Sequence, residues 1–205
     1  MVVTRPSVVL DLGNVLIRWD PRAAIAAAVG VEEAERFLAA EDFDFGAWNH
    51  EQDAGRPFAE AEAKAVASHP HWADHVRGYR PHFAHSLLGP LDDTVAILRE
   101  LHAARVPVYA LTNWSAETFP LARERYDFLA LFGDIVVSGE VGVAKPDPAI
   151  FEVLRERVGR PLEECVFVDD GPKNVAAAAE AGLDAIHFTD TGHLREDLRA
   201  RGLPI

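Results

Sequence analysis

Four short polar segments of this chain carry residues that could do chemistry together. In chain order they are Asp11, Thr112-Asn113, the isolated Lys145, and Asp169-Asp170. All but Lys145 directly follow an apolar run, and such runs predict buried parallel strands. Ligands of open α/β sheets bind just beyond the carboxyl ends of such strands. We therefore expect these carboxylates, the hydroxyl, the amide and the amine to meet in one crevice.

This set of groups suits phosphoryl transfer. A carboxylate such as Asp11 can attack phosphorus and form an acyl phosphate. Asp11 and Asp170 can hold a hard cation such as Mg²⁺, which prefers carboxylate oxygen and takes few protein ligands. Thr112 and Lys145 can hold the phosphoryl oxygens, because positioning and charge stabilisation supply most of the catalysis in such reactions.

Short motifs at the same places resemble those of a known family. They are Asp11-Leu12-Gly13-Asn14-Val15, Leu111-Thr112-Asn113, Lys145-Pro146 and Val168-Asp169-Asp170. Together they resemble the motifs of the haloacid dehalogenase superfamily, and they look most like its small bacterial phosphatases with a helical cap. The resemblance covers nearly the whole chain. It implies a phosphatase that hydrolyses a small phosphorylated metabolite, such as a sugar phosphate, through an aspartyl phosphate.

The resemblance also implies a role for each polar residue at the strand ends. The catalytic residues would be Asp11, Thr112 and Lys145. The Mg²⁺ ligands would be Asp11, the backbone carbonyl of Gly13, and Asp170. The predicted cofactor is therefore Mg²⁺, bound at the carboxyl ends of the parallel strands.

Three further residues would support this set. Asp169 and Asp170 are adjacent, so both cannot point the same way along a strand. The resemblance makes Asp170 the direct metal ligand and Asp169 a supporting residue, bound to Lys145 or to a metal-bound water. Asn174 would also support the site through its carbonyl oxygen. Asn113 would contact the substrate by orienting the phosphoryl group or the nucleophile.

Gly13 is the main departure from the family pattern. Most phosphatases of this superfamily carry a second Asp two residues after the nucleophile, where it serves as general acid and base. Loss of such proton transfer typically costs a factor of about 10²–10⁴ in rate. Some sugar-phosphate phosphatases share the Asp-Leu-Gly-Asn-Val form. We expect good leaving groups to be favoured unless another group donates the proton, and His50 is one candidate.

Two other functions stay open at this point. A 2-haloacid dehalogenase uses the same Asp nucleophile without a metal and also lacks the second Asp. Against it, dehalogenases typically carry an aromatic residue where Gly13 stands, and Asp169-Asp170 suits a cation better than a halide. A catalytically idle member of the fold that binds a metabolite or a protein is the third reading, but intact Asp11, Lys145 and Asp170 disfavour it.

The segment after the first strand has a different character from the rest of the chain. From about Asp20 to Leu88 it is rich in Ala, Glu and His, which favours helices. We interpret it as an inserted helical cap, and expect Trp48 and Asn49 there, with Trp114 in the core, to contact the substrate. Its histidines, His71 and His75 among them, lack the Cys or acidic partners of a zinc site and are expected on a solvated or lightly packed helix.

The remaining segments alternate between strand and helix patterns. This alternation predicts an α/β fold, with a Rossmann-like parallel sheet of about five strands flanked by helices. The predicted organisation is a core formed by residues 1–19 and 89–205 and an all-helical cap formed by residues 20–88. The helix with Trp72, Val76, Tyr79 and Phe83 on one face is predicted to be the last of the cap.

Composition narrows the class of protein further. The chain has 205 residues, 49% of them hydrophobic, and a net charge of −13. This charge argues against nucleic acid or an anionic membrane as a partner. Met1 to Pro6 carry no secretory signal, and the single cysteine, Cys165, suits a reducing compartment. We expect a cytoplasmic protein, either a monomer or a homodimer.

Overall fold

The computed structural model of the protein describes residues 5–205. Residues 1–4 lie outside the described residues. They are the first residues of the predicted core and make up most of the Met1 to Pro6 stretch. In chain order the strands are β1 (Ser7–Leu10), β2 (Ile17–Trp19), β3 (Leu87–Pro90), β4 (Val108–Thr112), β5 (Ile135–Val137), β6 (Cys165–Asp169) and β7 (Asp184–His187). The helices are α1 (Pro21–Val29), α2 (Val31–Leu38), α3 (Phe45–Asp53), α4 (Phe58–Ser68), α5 (Ala73–Tyr79), α6 (Asp92–Ala103), α7 (Phe119–Arg125), α8 (Ser138–Val141), α9 (Pro148–Val158), α10 (Pro172–Glu180) and α11 (Thr191–Ala200).

The central sheet confirms the predicted α/β class. Within residues 5–205 it has five strands in the order β5-β4-β1-β6-β7, and every neighbouring pair is parallel. The chain adds β4 and β5 on one side of β1 and then crosses to add β6 and β7 on the other. This change of direction opens a crevice at the carboxyl end of β1, where ligands of such sheets bind.

The two faces of β1 explain why helices cover both sides of the sheet. Val8 and Leu10 belong to a hydrophobic core that includes side chains of α6 and α11. Val9, which points the opposite way, belongs to a second core that includes side chains of α9 and α10. A strand that is buried on both faces is typical of parallel sheets. The apolar runs before Asp11 and Asp169 therefore position the polar residues that follow them.

A helical segment is inserted between β2 and β3. These two strands form an antiparallel ribbon, and α1 to α5 follow one another between them. Aromatic side chains fill the interior of this segment: Phe37, Phe43, Phe45, Trp48, Phe58 and Tyr79. The range predicted for the cap, 20–88, ends inside β3. The division into core and cap stays a prediction.

The predicted helix from Trp72 to Phe83 is wrong in its extent. The structure has α5 in its middle and separate 3₁₀ turns at Pro70–Trp72 and Phe83–Ser86. Pro81 explains the end of α5, because proline has no backbone N–H to continue the helical hydrogen bonding. The solvated or lightly packed position predicted for the histidines is wrong for His75 on α5, which is buried and packs against Phe37 and Trp72. In the part of the chain that the structure describes, no helix is both long and apolar enough to span a bilayer.

Candidate active site

Asp11 lies at the centre of the carboxyl edge of the sheet. Its backbone N–H donates to the Val168 carbonyl over 2.9 Å, which extends the β1–β6 pairing by one residue. The residue is only 7% exposed, and its Oδ1 accepts a hydrogen bond from the Leu12 N–H at 2.8 Å. Strand pairing thus fixes the backbone of the predicted nucleophile, while the turn after β1 fixes its carboxylate.

Lys145 lies beside Asp11 and is buried. Its ammonium contacts the Leu111 carbonyl at 2.8 Å, Asp169 Oδ2 at 2.6 Å and Asp11 Oδ1 at 3.1 Å. An ammonium has three N–H donors, so these contacts occupy all of them. Burial alone would lower the pKa of Lys145, but the carboxylates of Asp11 and Asp169 outweigh it and raise that pKa. Lys145 is therefore a fixed positive charge at the base of the crevice.

Asn113 holds the Lys145 backbone in place. Its Nδ2 donates to the Lys145 carbonyl at 2.8 Å, and its Oδ1 accepts from the Lys145 N–H at 2.8 Å. Both polar atoms of the side chain are thus engaged with the loop that carries the lysine. The predicted contact of Asn113 with the substrate stays a prediction, but its bonding in this structure points to the positioning of Lys145.

Asp169 and Asn174 form a supporting layer behind Lys145. Asp169 is fully buried, and its Oδ1 accepts from the Gly171 N–H at 2.7 Å and from Asn174 Nδ2 at 3.0 Å. The other carboxylate oxygen of Asp169 contacts Lys145. Asn174 therefore contacts this layer through its amide N–H and not through the carbonyl oxygen that was predicted. Asp170 is half-buried at the end of β6. The structure thus brings Asp169 and Asp170 to the crevice. Both carboxylate oxygens of Asp169 already accept hydrogen bonds from protein groups.

The three carboxylates form a group that could hold a metal ion. Asp11, Asp169 and Asp170 each offer an oxygen atom, and these atoms lie within 4.8 Å of one another. Three carboxylates face one ammonium, so the group has an excess of negative charge that a divalent cation would offset. Carboxylate oxygens are the ligands that hard cations prefer. Because Asp169 is already saturated, Asp11 and Asp170 are the more suitable ligands.

The electrostatics of Asp11 reflect this crowding. Burial raises the pKa of Asp11 to about 7 in the absence of a metal, although Lys145 lowers it. The neighbouring carboxylates of Asp169 and Asp170 raise it further. Burial and Asp169 likewise raise the pKa of Asp170. A bound cation would favour the ionised form of both groups, because an opposite charge nearby stabilises a carboxylate.

Thr112 ends β4 next to this group. The register that pairs Ala110 with Leu10 puts the buried Thr112 beside the residues that follow β1. Ser138, at the end of β5, lies one strand further out, and its hydroxyl accepts from the Trp114 N–H at 2.9 Å. The strand ends thus carry hydroxyl groups along the same edge as the carboxylates.

A cavity lies between the carboxyl edge of the sheet and the inserted helices. Its lining residues come from the turn after β1, from β2 and the loop after β4, and from the inserted segment: Gly13, Trp19, Asn49, Asp53, Tyr79, Phe83, Asn113 and Trp114. The predicted substrate contacts Asn49, Asn113 and Trp114 are therefore brought together, and the predicted metal ligand Gly13 lies with them.

The structure does not bring two other residues of the inserted segment to this cavity. Trp48 is buried on the opposite side of α3, where its ring packs against Phe45 and Phe58, and its indole N–H donates to the Ala61 carbonyl. Its large apolar ring is more stable in this aromatic core than beside polar groups. His50 is exposed to solvent and does not line the cavity.

Asp53 and Tyr79 also line the cavity, and neither was predicted from the sequence to belong to the site. Asp53 ends α3, and its Oδ2 accepts from Asn49 Nδ2 at 2.9 Å. Tyr79 is fully buried, and within residues 5–205 its hydroxyl has no hydrogen-bond partner. One sequence signal does mark Asp53: an acid at the end of a helix opposes the helix dipole, so such a placement needs a reason. That signal requires α3 to be recognised first.

The curated proteins to which the chain is similar include a phosphatase and a dehalogenase. It is 36% identical over 96 residues to a sesquiterpene phosphatase from Aspergillus oryzae, a match that covers 47% of this chain and 49% of that protein. It is 29% identical over 96 residues to an (S)-2-haloacid dehalogenase from Pseudomonas fluorescens, with coverage of 47% and 42%. The chain thus spans about half the length of these relatives.

A solved structure and a family profile cover much more of the chain. A haloacid dehalogenase family enzyme from Bacteroides thetaiotaomicron, solved with magnesium and inorganic phosphate, has a TM-score of 0.71 at 23% identity and covers 93% of this chain and 99% of that one. This likeness shows the fold. Residues 7–182 match the profile of the haloacid dehalogenase-like hydrolases, and the chain therefore belongs to that family of hydrolases.

Proposed function

We propose that this protein is a Mg²⁺-dependent phosphatase that hydrolyses a small phosphorylated metabolite through an aspartyl phosphate on Asp11. The observation that carries the proposal is the buried Lys145 ammonium, 3.1 Å from Asp11 Oδ1 and 2.6 Å from Asp169 Oδ2. Burying such charges is costly for stability, and groups of this kind are common at functional sites. The nearby Asp170 adds a carboxylate that this lysine does not contact.

Asp11 is arranged to act as the nucleophile. Within residues 5–205, its partners Leu12 N–H and Lys145 both bind Oδ1, so Oδ2 is available to a ligand. In the first step a carboxylate oxygen of Asp11 forms a bond to phosphorus, and the bond from phosphorus to the leaving oxygen breaks. In the second step water attacks the same phosphorus, which releases inorganic phosphate and restores the carboxylate.

The other residues at the strand ends would hold charge and the phosphoryl group. Asp11, the Gly13 carbonyl and Asp170 are the proposed Mg²⁺ ligands, and the ion would supply positive charge that offsets the charge of the phosphoryl oxygens. The Thr112 hydroxyl is proposed to bind a phosphoryl oxygen. Lys145 contributes charge and keeps Asp11 in position, because all its donors are already engaged.

The cavity supports a small organic group on the substrate. Its volume is about 80 Å³, and it combines aromatic rings with the amides of Asn49 and Asn113 and the carboxyl of Asp53. Apolar walls with a few polar groups that fix orientation are typical of small-molecule sites. A sugar phosphate is the substrate class we propose, since its hydroxyl groups would match these polar side chains.

The alternative is a 2-haloacid dehalogenase, which the similarity to the Pseudomonas fluorescens enzyme favours. That reaction uses an Asp nucleophile on carbon and needs no metal. Asp170 argues for the phosphatase, because a third carboxylate beside Asp11 and Asp169 would repel a carboxylate substrate and a departing halide. A cation would remove this repulsion.

One comparison separates these functions. We expect phosphate release from p-nitrophenyl phosphate in the presence of Mg²⁺, loss of this activity in EDTA, and its recovery when Mg²⁺ is added in excess. We expect no halide release from 2-chloropropionate. Halide release that is unaffected by EDTA would support the dehalogenase, and no activity on either substrate or on a panel of sugar phosphates would support an idle binding protein.

Three further properties belong to the same proposal. We propose that residues 20–88 act as a cap over the core of residues 1–19 and 89–205. A cytoplasmic location is supported by Cys165, which is a buried free thiol and suits a reducing compartment. The protein is proposed to be a monomer or a homodimer, which sedimentation or light scattering would distinguish.

A further inference from the structure

The site has no acid at the position where most phosphatases of this superfamily are expected to carry one. Gly13 has no side chain, and a Cβ built there would meet nothing within 4 Å. The space beside Gly13 is therefore open toward the cavity. An alkoxide leaving from phosphorus would need a proton from another group, because its own basicity makes it a poor leaving group.

We propose that the carboxyl group of Asp53, which reaches this cavity from α3, is the acid that protonates the leaving oxygen. This inference rests on the proposed phosphatase function. Within the described residues that line the cavity, Asp53 is the only carboxyl group. It shares the cavity with Gly13, so the inserted segment brings an acid to the space that the core leaves empty.

The position of Asp53 is well defined by its neighbours. Its backbone carbonyl accepts from the Ser138 hydroxyl at 2.5 Å, which ties the end of α3 to the end of β5. Its Oδ2 accepts from Asn49 Nδ2 at 2.9 Å, one helical turn earlier. The Ser138 contact thus fixes the backbone of Asp53 at the end of α3, and the Asn49 contact orients its carboxyl group.

The electrostatic environment favours a proton on Asp53 near neutral pH. Burial raises the pKa of Asp53 to about 7, against a hydrogen bond from the Ser115 backbone that lowers it. The charge of Asp11 raises that pKa further. A general acid works best when its pKa is close to the operating pH. His50, the candidate donor from the sequence, is exposed and does not line the cavity.

Tyr79 gives an independent sign that a polar ligand occupies this side of the cavity. Its hydroxyl is buried and, in the described part of the chain, has no hydrogen-bond partner. Leaving such a group unpaired costs stability. Burial raises the pKa of Tyr79 and the nearby Asp53 carboxylate adds to the effect, against the neighbouring Trp19 indole N–H, which lowers that pKa. Tyr79 therefore stays protonated and can donate to a substrate oxygen close to Asp53.

The proposed proton transfers balance over the whole reaction. When Asp11 attacks phosphorus, the phosphorus–oxygen bond to the leaving group breaks, and that oxygen takes the proton of Asp53. When water then attacks phosphorus in the aspartyl phosphate, the bond from phosphorus to the Asp11 oxygen breaks, and the Asp53 carboxylate takes a proton from the water. The cycle ends with free phosphate, an ionised Asp11 and a protonated Asp53.

The test compares the wild type with Asp53→Asn and Asp53→Glu on a series of phosphate monoesters, from p-nitrophenyl through phenyl to alkyl phosphates. The measured quantity is kcat/KM in Mg²⁺, which reports phosphorylation of the enzyme and not the later hydrolysis. We expect Asp53→Asn to lose about 10²-fold or more with an alkyl phosphate and far less with p-nitrophenyl phosphate. If so, Asp53→Asn prefers substrates with good leaving groups, whereas the wild type has no strong preference of this kind.

Two controls make the result decisive. Asp53→Glu keeps a carboxyl and should retain the wild-type dependence on the leaving group, whatever its absolute rate. Glu51 lies on the same helix but is exposed and forms a surface ion pair with Arg56. Glu51→Gln should therefore leave kcat/KM unchanged for every ester in the series. Equal losses on all substrates in Asp53→Asn, or no loss, would overturn the proposal. A wild type that hydrolyses no ester in the series would instead refute the phosphatase function.

Discussion

At the scale of single residues, one buried ammonium organises the site. Lys145 contacts two carboxylates and a carbonyl, and Asn113 fixes its backbone with a donor and an acceptor. Removing Lys145 would leave Asp11 and Asp169 buried without a countercharge, which typically costs about 3–5 kcal/mol. The lysine is thus needed for the fold of the site as well as for its charge, so loss of activity in its variants would not by itself identify a catalytic role.

Asp53 gives a prediction on stability that needs no substrate. Its pKa is raised to about 7 by burial, so it contributes stability that is present at low pH and lost as the pH rises through 7. Asp53→Asn carries no such charge. In EDTA, its free energy of unfolding relative to the wild type should increase between pH 5 and pH 8 by about 1–2 kcal/mol, a value reduced for partial exposure.

Urea denaturation at both pH values measures this difference, with Glu51→Gln as the matched control. Glu51 is on the same helix and exposed, so its variant should track the wild type at both pH values. A difference for Asp53→Asn that is constant or shrinks from pH 5 to pH 8 would show that the carboxyl is not raised in pKa in the folded protein.

At the scale of elements, close helix packing positions Tyr79. Gly78 precedes it on α5, and a Cβ at Gly78 would lie 2.3 Å from the Ala28 Cβ on α1. Gly78→Ala should therefore destabilise the protein by about 1–3 kcal/mol through overpacking, although alanine is normally the better helix former. The displaced α5 should also weaken substrate binding, which a rise in KM would reveal.

A double-mutant cycle tests the origin of this effect. Ala28→Gly removes the opposing methyl group, so the double variant Ala28→Gly with Gly78→Ala should be more stable than the sum of the two single changes predicts. The coupling energy is read from urea or thermal unfolding. Additive effects would mean that the two helices do not meet at these positions.

The sequence predicted elements well where one physical rule decided them. The strands before Asp11, Asn113 and Asp170 are continuous apolar runs, and the sheet edge follows from their parallel order. The prediction failed for elements on which several physical rules compete. The segment Phe45–Asp53 has no clear apolar period, so α3 was not predicted, and Leu87–Pro90 ends in glycine and proline, which disfavour a strand. Both form because tertiary packing stabilises them.

The same limit applies to the site. Asp11, Lys145 and Asp170 lie on short motifs with known spacing, so their convergence could be predicted. Asp53 lies in the inserted segment, far along the chain from each motif. Only the packing of α3 against the end of β5 brings it to the cavity. Trp48 and Asn49 are neighbours in sequence, yet the helix turns one into the aromatic core and the other toward the cavity.

At the scale of the whole molecule, the net charge is −13. Specific binding of Mg²⁺ must therefore be distinguished from its general attraction to the acidic surface. Mg²⁺ will screen acidic surfaces in general, but the group at Asp11 and Asp170 should bind it at one place. A ligand at one hundred times its dissociation constant stabilises the folded state by about 2.7 kcal/mol. We expect Mg²⁺ to raise the melting temperature of the wild type in a saturable way.

Asp170→Asn is the matched variant for this measurement. It removes one charge from the site and leaves the rest of the acidic surface unchanged, so any screening effect of Mg²⁺ should persist in it. The saturable increase in melting temperature should be lost or should require a much higher Mg²⁺ concentration. An identical Mg²⁺ titration in the two proteins would place the bound ion elsewhere.

The proposed reaction requires that Asp11 carries the phosphoryl group during turnover. The most direct measurement is to quench the Mg²⁺-loaded enzyme with acid during hydrolysis of p-nitrophenyl phosphate, reduce acyl phosphates with borohydride, and identify the modified peptide by mass spectrometry. We predict conversion of residue 11 to homoserine, dependent on both substrate and Mg²⁺ and absent in Asp11→Asn. Reduction at another residue, or steady turnover with residue 11 unmodified at every quench time, would contradict the claim.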